Sequence, residues 1–361
     1  MADNKRRAAR RDLDTVAQAL GRWLAQRPGY GGAIIHSLFR PEGAGLSNET
    51  YLIECQLGRR REALIMQIGP AGGGLFRDYD LGVMARVQQR VAEVSSVPVA
   101  KVRWFEADEN VLGSPFYVMD RARGQVPSDN PSYHSGGWLA ELPAAAQAES
   151  WYSGIAAMVA LHRLEPLADG FEFLVDAPWG MALNADPPLR RIEQWRDLMQ
   201  WGASRPLPLI EAALDTLRDS RPPAARPRVH WGGAKISNCV IEDKQVRALL
   251  DWELCGLSDP QEDLAFWLVL DWAQWRSLGL QRLPNLPSPQ ATVVYYGALA
   301  GQPQPDVLWW FKFGLTRLAI IYHRFFERRI EAGRLAADED LVALNPMCGL
   351  LPEVLALEGL P

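Results

Sequence analysis

The stretch from Gly32 to Pro70, GAIIHSLFRPEGAGLSNETYLIECQLGRRREALIMQIGP, constrains the fold of this chain more than any other. It holds β-rich runs at 32–39, 49–57 and 62–68, broken by Gly-rich and Arg-rich turns, which is the pattern of an antiparallel meander. Before it, DLDTVAQALGRWLAQR (12–27) sets Leu13, Val16, Leu20 and Leu24 on one helical stripe, with Asp12 or Asp14 available as a cap. After it come a helical segment near 77–94 and two more strand-like runs, VPVAKVRWFEAD and PFYVMDRA, separated by the turn ENVLGS. Five strands and one helix behind the N-terminal helix therefore make a small lobe ending near Arg123.

From about residue 145 the period changes to helical, in WYSGIAAMVALHRL, LRRIEQWRDLMQWGA, QEDLAFWLVLDWAQW and VLWWFKFGLTRLAIIYHRFFERRI. Two short strands, NCVIED and VRALLDWE, interrupt it as a hairpin. The 361 residues exceed one small core, so we expect two lobes, 1–123 and 124–361, the second carrying a loop and hairpin at 229–253. A net charge of −5 gives no basic footprint for nucleic acid, and the run Lys5 to Arg11 reads as a solvated tail. No stretch approaches the roughly 20 apolar residues of a membrane span, and no signal core follows the basic residues. A cytoplasmic protein is the expectation. Cys55, Cys239, Cys255 and Cys348 lack CxxC spacing, which argues against a disulfide framework or a zinc site.

A β-rich small lobe, an extended hinge and a helical large lobe carrying RVHWGGAKISN and then LLDWE resembles the aminoglycoside phosphotransferase and choline kinase-like family, in particular its WGDxRxGN and VLDWE branch. The motifs run from GLSNETYLI through GSPFYVMD to ALLDWELCGLSDPQEDLAFW, nearly the whole chain. The resemblance implies a two-lobed, protein-kinase-like α+β fold. It also implies ATP or another nucleotide with magnesium, and a small-molecule acceptor. By position, Ser47 and Asn48 fall in the loop that covers the nucleotide. Met119 and Asp120 fall on the hinge, where backbone groups would meet an adenine edge. Asn238 and Asp251 fall on the magnesium ligands, and Asp263 on an acid that braces the catalytic loop.

Four positions in particular depart from the pattern. Aligning WGDxRxGN with WGGAKISN puts Gly233 on the catalytic Asp and Lys235 on the Arg. The third strand ends LIMQ, so Gln67 occupies the place of the phosphate-binding Lys or Arg, and Arg86 falls on its usual Glu partner. Phosphoryl transfer depends on positioning and charge neutralisation, so these losses bear on turnover directly. His230 is the nearest titratable group that could replace the lost acid. Three readings stay open: a phosphotransferase with a remodelled site, a pseudokinase-type binding module, and a pocket turned to another reaction. His134, Trp138, His323 and Arg324 are candidates for the acceptor side. The aromatic, weakly charged C-terminal lobe favours an apolar alcohol or a hydroxyacyl thioester over a polycation.

Overall fold

The computed structural model describes residues 11–41, 48–70 and 74–361. Helix α1 (Leu13–Leu24) starts where the Asp12 carboxylate accepts from Thr15 N at 2.9 Å. Val16, Leu20, Trp23 and Leu24 form its buried face, whereas Leu13, counted with that stripe, stays exposed in the first turn. Strands β1 (Ala33–Phe39), β2 (Glu49–Leu57), β3 (Arg60–Ile68), β4 (Val102–Glu106) and β5 (Phe116–Asp120) form one antiparallel sheet in the order β1-β2-β3-β5-β4. Between β2 and β3 the loop is only Gly58-Arg59, and the positive φ of 59° at Gly58 matches a turn whose twist suits a hairpin. Helix α2 (Leu81–Val94), capped by Asp80, crosses between β3 and β4.

The rest is helical around a small β-core. Helices α3 (Trp138–Glu141), α4 (Ala144–His162), α5 (Pro187–Gly202) and α6 (Pro208–Asp219) precede it, and α7 (Pro260–Ser277), α8 (Pro289–Ala300), α9 (Val307–Glu331), α10 (Leu341–Leu344) and α11 (Pro346–Leu355) follow. The β-core has two pairs: β6 (Arg228–His230) with β9 (Gly256–Ser258), and β7 (Cys239–Glu242) with β8 (Gln245–Leu249). The hairpin was legible in the sequence; the three-residue strands β6 and β9 are too short for any period to reveal. This two-lobed, kinase-like α+β architecture is the one expected.

Two apolar cores divide the work. One lies between α1 and the sheet, around Leu20, Trp23, Tyr51, Ile53, Met66 and Phe116. The other runs without a break from α2, through Tyr117 and Met119, into the helical lobe at Trp151, Trp195, Trp267 and Trp310. Its continuity fixes α2 on the large lobe. The linker after β5 is pinned too, since Gln125 and Ile241 exchange backbone hydrogen bonds at 2.8 Å in both directions.

Candidate functional site

The loop between β6 and β7 is shaped by backbone geometry and a buried ionic lattice. Gly232 has φ of 80°, and a Cβ there would stand 2.3 Å from the Leu254 carbonyl oxygen, so only glycine fits. Asp263, on the first turn of α7, accepts from Trp231 N at 2.7 Å and from Gly232 N at 2.9 Å. His162 donates Nε2–H to the same carboxylate at 3.0 Å, because its Nδ1 is taken by the Tyr296 hydroxyl at 2.6 Å. From α9, Arg317 donates to the Gly232 carbonyl, and from α5, Arg191 pairs with Glu262 at 2.8 Å. Burial pushes the Asp263 carboxyl up, but His230, His162 and the Trp231 amide outweigh it and hold it far below the usual range.

A single 3-10 turn, Ile236–Asn238, then delivers Asn238 to Asp251. Asn238 Nδ2 donates to the Gly233 carbonyl at 2.8 Å and to Asp251 Oδ2 at 3.2 Å, which turns its amide oxygen the other way. Asp251 sits at φ 63°, a left-handed conformation that costs a non-glycine residue about 1–3 kcal/mol and persists only where its surroundings enforce it. Burial raises its pKa, against the opposing pull of Lys235 and Asn238. An amide oxygen beside a carboxylate is a donor set that suits magnesium, which keeps several waters and takes one or two protein groups. Asp251 offers such an oxygen as it stands, and Asn238 would have to rotate its amide to add a second.

At Gly233 the loop is closed. A Cβ there would lie 2.3 Å from the Asp251 carbonyl oxygen, so Asp251 occupies the space that a side chain needs. Lys235 Nζ instead meets Asp129 Oδ2 at 2.5 Å. On the small-lobe side Gln67 lies in a neutral chain: Tyr117 donates its hydroxyl to Gln67 Oε1 at 2.5 Å, and Gln88 Nε2 donates to Tyr117 Oη at 3.2 Å. The α2 residue facing the sheet is thus the buried Gln88, and the expected Arg86 is wrong by two positions. Two residues turn a helix by about 200°, which sends Arg86 outward, its guanidinium 3.9 Å from the Phe173 ring centre. Tyr79 and Tyr117 are pushed up by burial, and both also feel the charges of Asp251 and Glu253, so two phenols border the carboxylates.

The remaining expected residues are placed as follows. His230 is 2% exposed, with Nε2 3.1 Å from Asp263 Oδ1 and 3.5 Å from Glu262 Oε2, so it belongs to the lattice behind the loop and is corrected from a substitute base to a brace. Asp120 N donates to Lys101 O at 2.9 Å and its carboxylate pairs with Arg103 at 2.5 Å, while Met119 is held between Ile65 and Val102; that amide is spent inside the sheet and cannot meet an adenine edge. Asn48 stands one residue before β2, and Ser47 lies outside the described residues. His134 is tied to Asp271 and Leu283 N, Trp138 donates to the Val126 carbonyl, His323 pairs with Glu327 along α9, and Arg324 stacks on Trp201. Tyr322, beside His323, faces the Asp129–Lys235 pair instead.

Burial pushes His230 down to about 4 from 6.5, despite Asp263 and Glu262. A depressed histidine stabilises the fold above its unfolded pKa and loses that contribution as pH falls. We therefore expect the unfolding free energy to drop by about 3 kcal/mol between pH 6.5 and 4 on this account, with the slope flattened in His230→Gln and read from urea midpoints.

A two-lobed fold with a braced loop and an Asn–Asp pair beside it is the architecture of the kinase-like phosphotransferases. The family model of the phosphotransferase enzyme family matches residues 39–286, and the chain belongs to that family. Acyl-CoA dehydrogenase family member 11 of Homo sapiens is 24% identical over 232 residues, covering 62% of this chain and 26% of that protein. A candidate acyl-CoA dehydrogenase of Arabidopsis thaliana, IBR3, is 28% identical over 313 residues, 79% of this chain and 36% of its own. The chain thus spans about a quarter to a third of these relatives. Among solved structures, a candidate aminoglycoside phosphotransferase of Ralstonia eutropha superposes with a TM-score of 0.67 at 20% identity, covering 95% of this chain and 96% of that one. Macrolide 2'-phosphotransferase MphH of Brachybacterium faecium follows at 0.55 and 16%, covering 91% and 100%.

Proposed function

We propose that this protein is a phosphotransferase with a remodelled active site, which takes magnesium and a nucleotide through Asn238 and Asp251 and acts on a small hydroxylated metabolite. The observation that carries this reading is the Asn238–Asp251 pair, 3.2 Å apart on an enforced left-handed backbone. Left-handed backbone of the kind Asp251 adopts clusters at ligand and active sites, which supports the reading. A bound magnesium ion would offset charge on the phosphates. The aromatic lobe and the kinship with proteins named for acyl-CoA chemistry both favour a hydroxyacyl thioester as acceptor.

A second reading, nucleotide binding without transfer, draws on the uncharged Gln67–Tyr117–Gln88 chain where a cation would clamp phosphate. Titrating ATP and ADP with and without magnesium tests both readings. Magnesium-dependent binding is expected, with affinity lowered by roughly tenfold or more in Asp251→Ala. Absence of binding in the unsubstituted protein would sink both.

A further inference from the structure

The loop carries no carboxylate at Gly233, yet one reaches it from elsewhere in the chain. We propose that Asp129, on the segment between the hinge and α3, is the acid–base group of this site and takes the proton of the acceptor hydroxyl. The assignment rests on the phosphotransfer reading above.

Asp129 Oδ2 lies 2.5 Å from Lys235 Nζ, two residues along the loop from Gly233, while Oδ1 accepts from Gln274 Nε2 at 2.9 Å. Both oxygens are therefore held, but 45% of the side chain stays open, leaving lone pairs for an incoming hydroxyl. Its segment is anchored on the same helix: the Tyr133 hydroxyl and Arg282 Nε both donate to Asp271, at 2.7 and 2.6 Å, one turn before Gln274 on α7. Tyr133 N also donates to Ser128 O at 2.8 Å, which closes the turn that carries Asp129. The charged and titratable groups that face this carboxylate are Lys235, Asp251, Tyr133 and Tyr322. Burial alone would raise its pKa, but Lys235, Ser237 and Gln274 hold it below the ordinary value, so it is ionised at neutral pH.

The step balances. The acceptor O–H proton passes to an Asp129 oxygen as the acceptor oxygen bonds to the terminal phosphorus of a nucleoside triphosphate. The bond from that phosphorus to the bridging oxygen breaks, and the diphosphate leaves with the electron pair. In such a loose transition state the base chiefly orients the hydroxyl, which a fixed carboxylate does well.

The test compares the unsubstituted protein with Asp129→Asn, Asp129→Ala and Lys235→Met. Calorimetry reads Mg·ATP affinity, thermal melting reads folding, and turnover is followed with water and with 3-hydroxybutyryl-CoA as acceptors. Asp129→Asn is expected to bind Mg·ATP and melt as the unsubstituted protein does, while kcat falls by about 100-fold or more. Added formate is expected to restore turnover in Asp129→Ala, an effect that a purely structural ion pair cannot produce. Unchanged turnover in Asp129→Asn overturns the assignment, and so do formate-insensitive losses equal to those of Lys235→Met. Binding of Mg·ATP by the unsubstituted protein without turnover on either acceptor overturns the role of Asp129 and favours binding without transfer; no binding at all overturns both readings of the site.

Discussion

Asp263→Ala is expected to lower the unfolding free energy by about 3–5 kcal/mol, measured as a fall in the urea midpoint at constant m value. Three donors converge on this carboxylate, the amides of Trp231 and Gly232 and His162 Nε2, and His230 lies 3.1 Å from it. All are buried, so none can turn to water when the acceptor is removed, and each orphaned donor costs free energy of its own. The same substitution frees Gly232, whose carbonyl Arg317 still holds, so the loop should lose its shape before the rest of the large lobe does. Asp263→Asn keeps the volume and one acceptor oxygen and is expected to cost less. Equal stability of the Ala variant and the unsubstituted protein would show that the lattice does not support the loop.

Gly233→Asp is expected to destabilise the protein by about 1–3 kcal/mol and to leave turnover no higher. Reintroducing the family's acid looks like a repair in sequence. In the structure the new Cβ would sit 2.3 Å from the Asp251 carbonyl oxygen, against backbone rather than a flexible side-chain tip. Relief requires moving either the loop or Asp251, and Asp251 is the half of the site that remains intact. Gly233→Ala isolates the cause: it adds the same Cβ without a carboxylate and should be destabilised as much. A Gly233→Asp protein that melts normally and turns over faster would show that the loop opens readily around position 233.

Much of this protein was legible in one dimension. Strand alternation and helical stripes are local properties, so the five strands of the sheet, α2, the hairpin and the long helices of the large lobe all emerged near their observed bounds. The loop was legible for the same reason, since Trp231, Gly232, Asn238 and Asp251 are identified by spacing along a continuous segment. The family pattern puts Gly233 where an acid is expected through that register, and Gln67 where a cation is expected through the end of β3.

What the sequence could not supply was which side chain meets which across the fold. On α2 no motif marks the face, and a shift of two residues exchanges the exposed Arg86 for the buried Gln88. His230 looked available because titratable side chains near a loop read alike, until β6 and α7 closed around it. Asp129 carried no signal at all, because the turn SDNPSY looks like any connecting segment. The sequence by itself determined the elements, the family pattern and the holes in it, for those depend on neighbours in the chain. Only the tertiary structure brought Asp129 across 106 residues to Lys235, because α7 seats the connecting segment and the loop after β6 side by side.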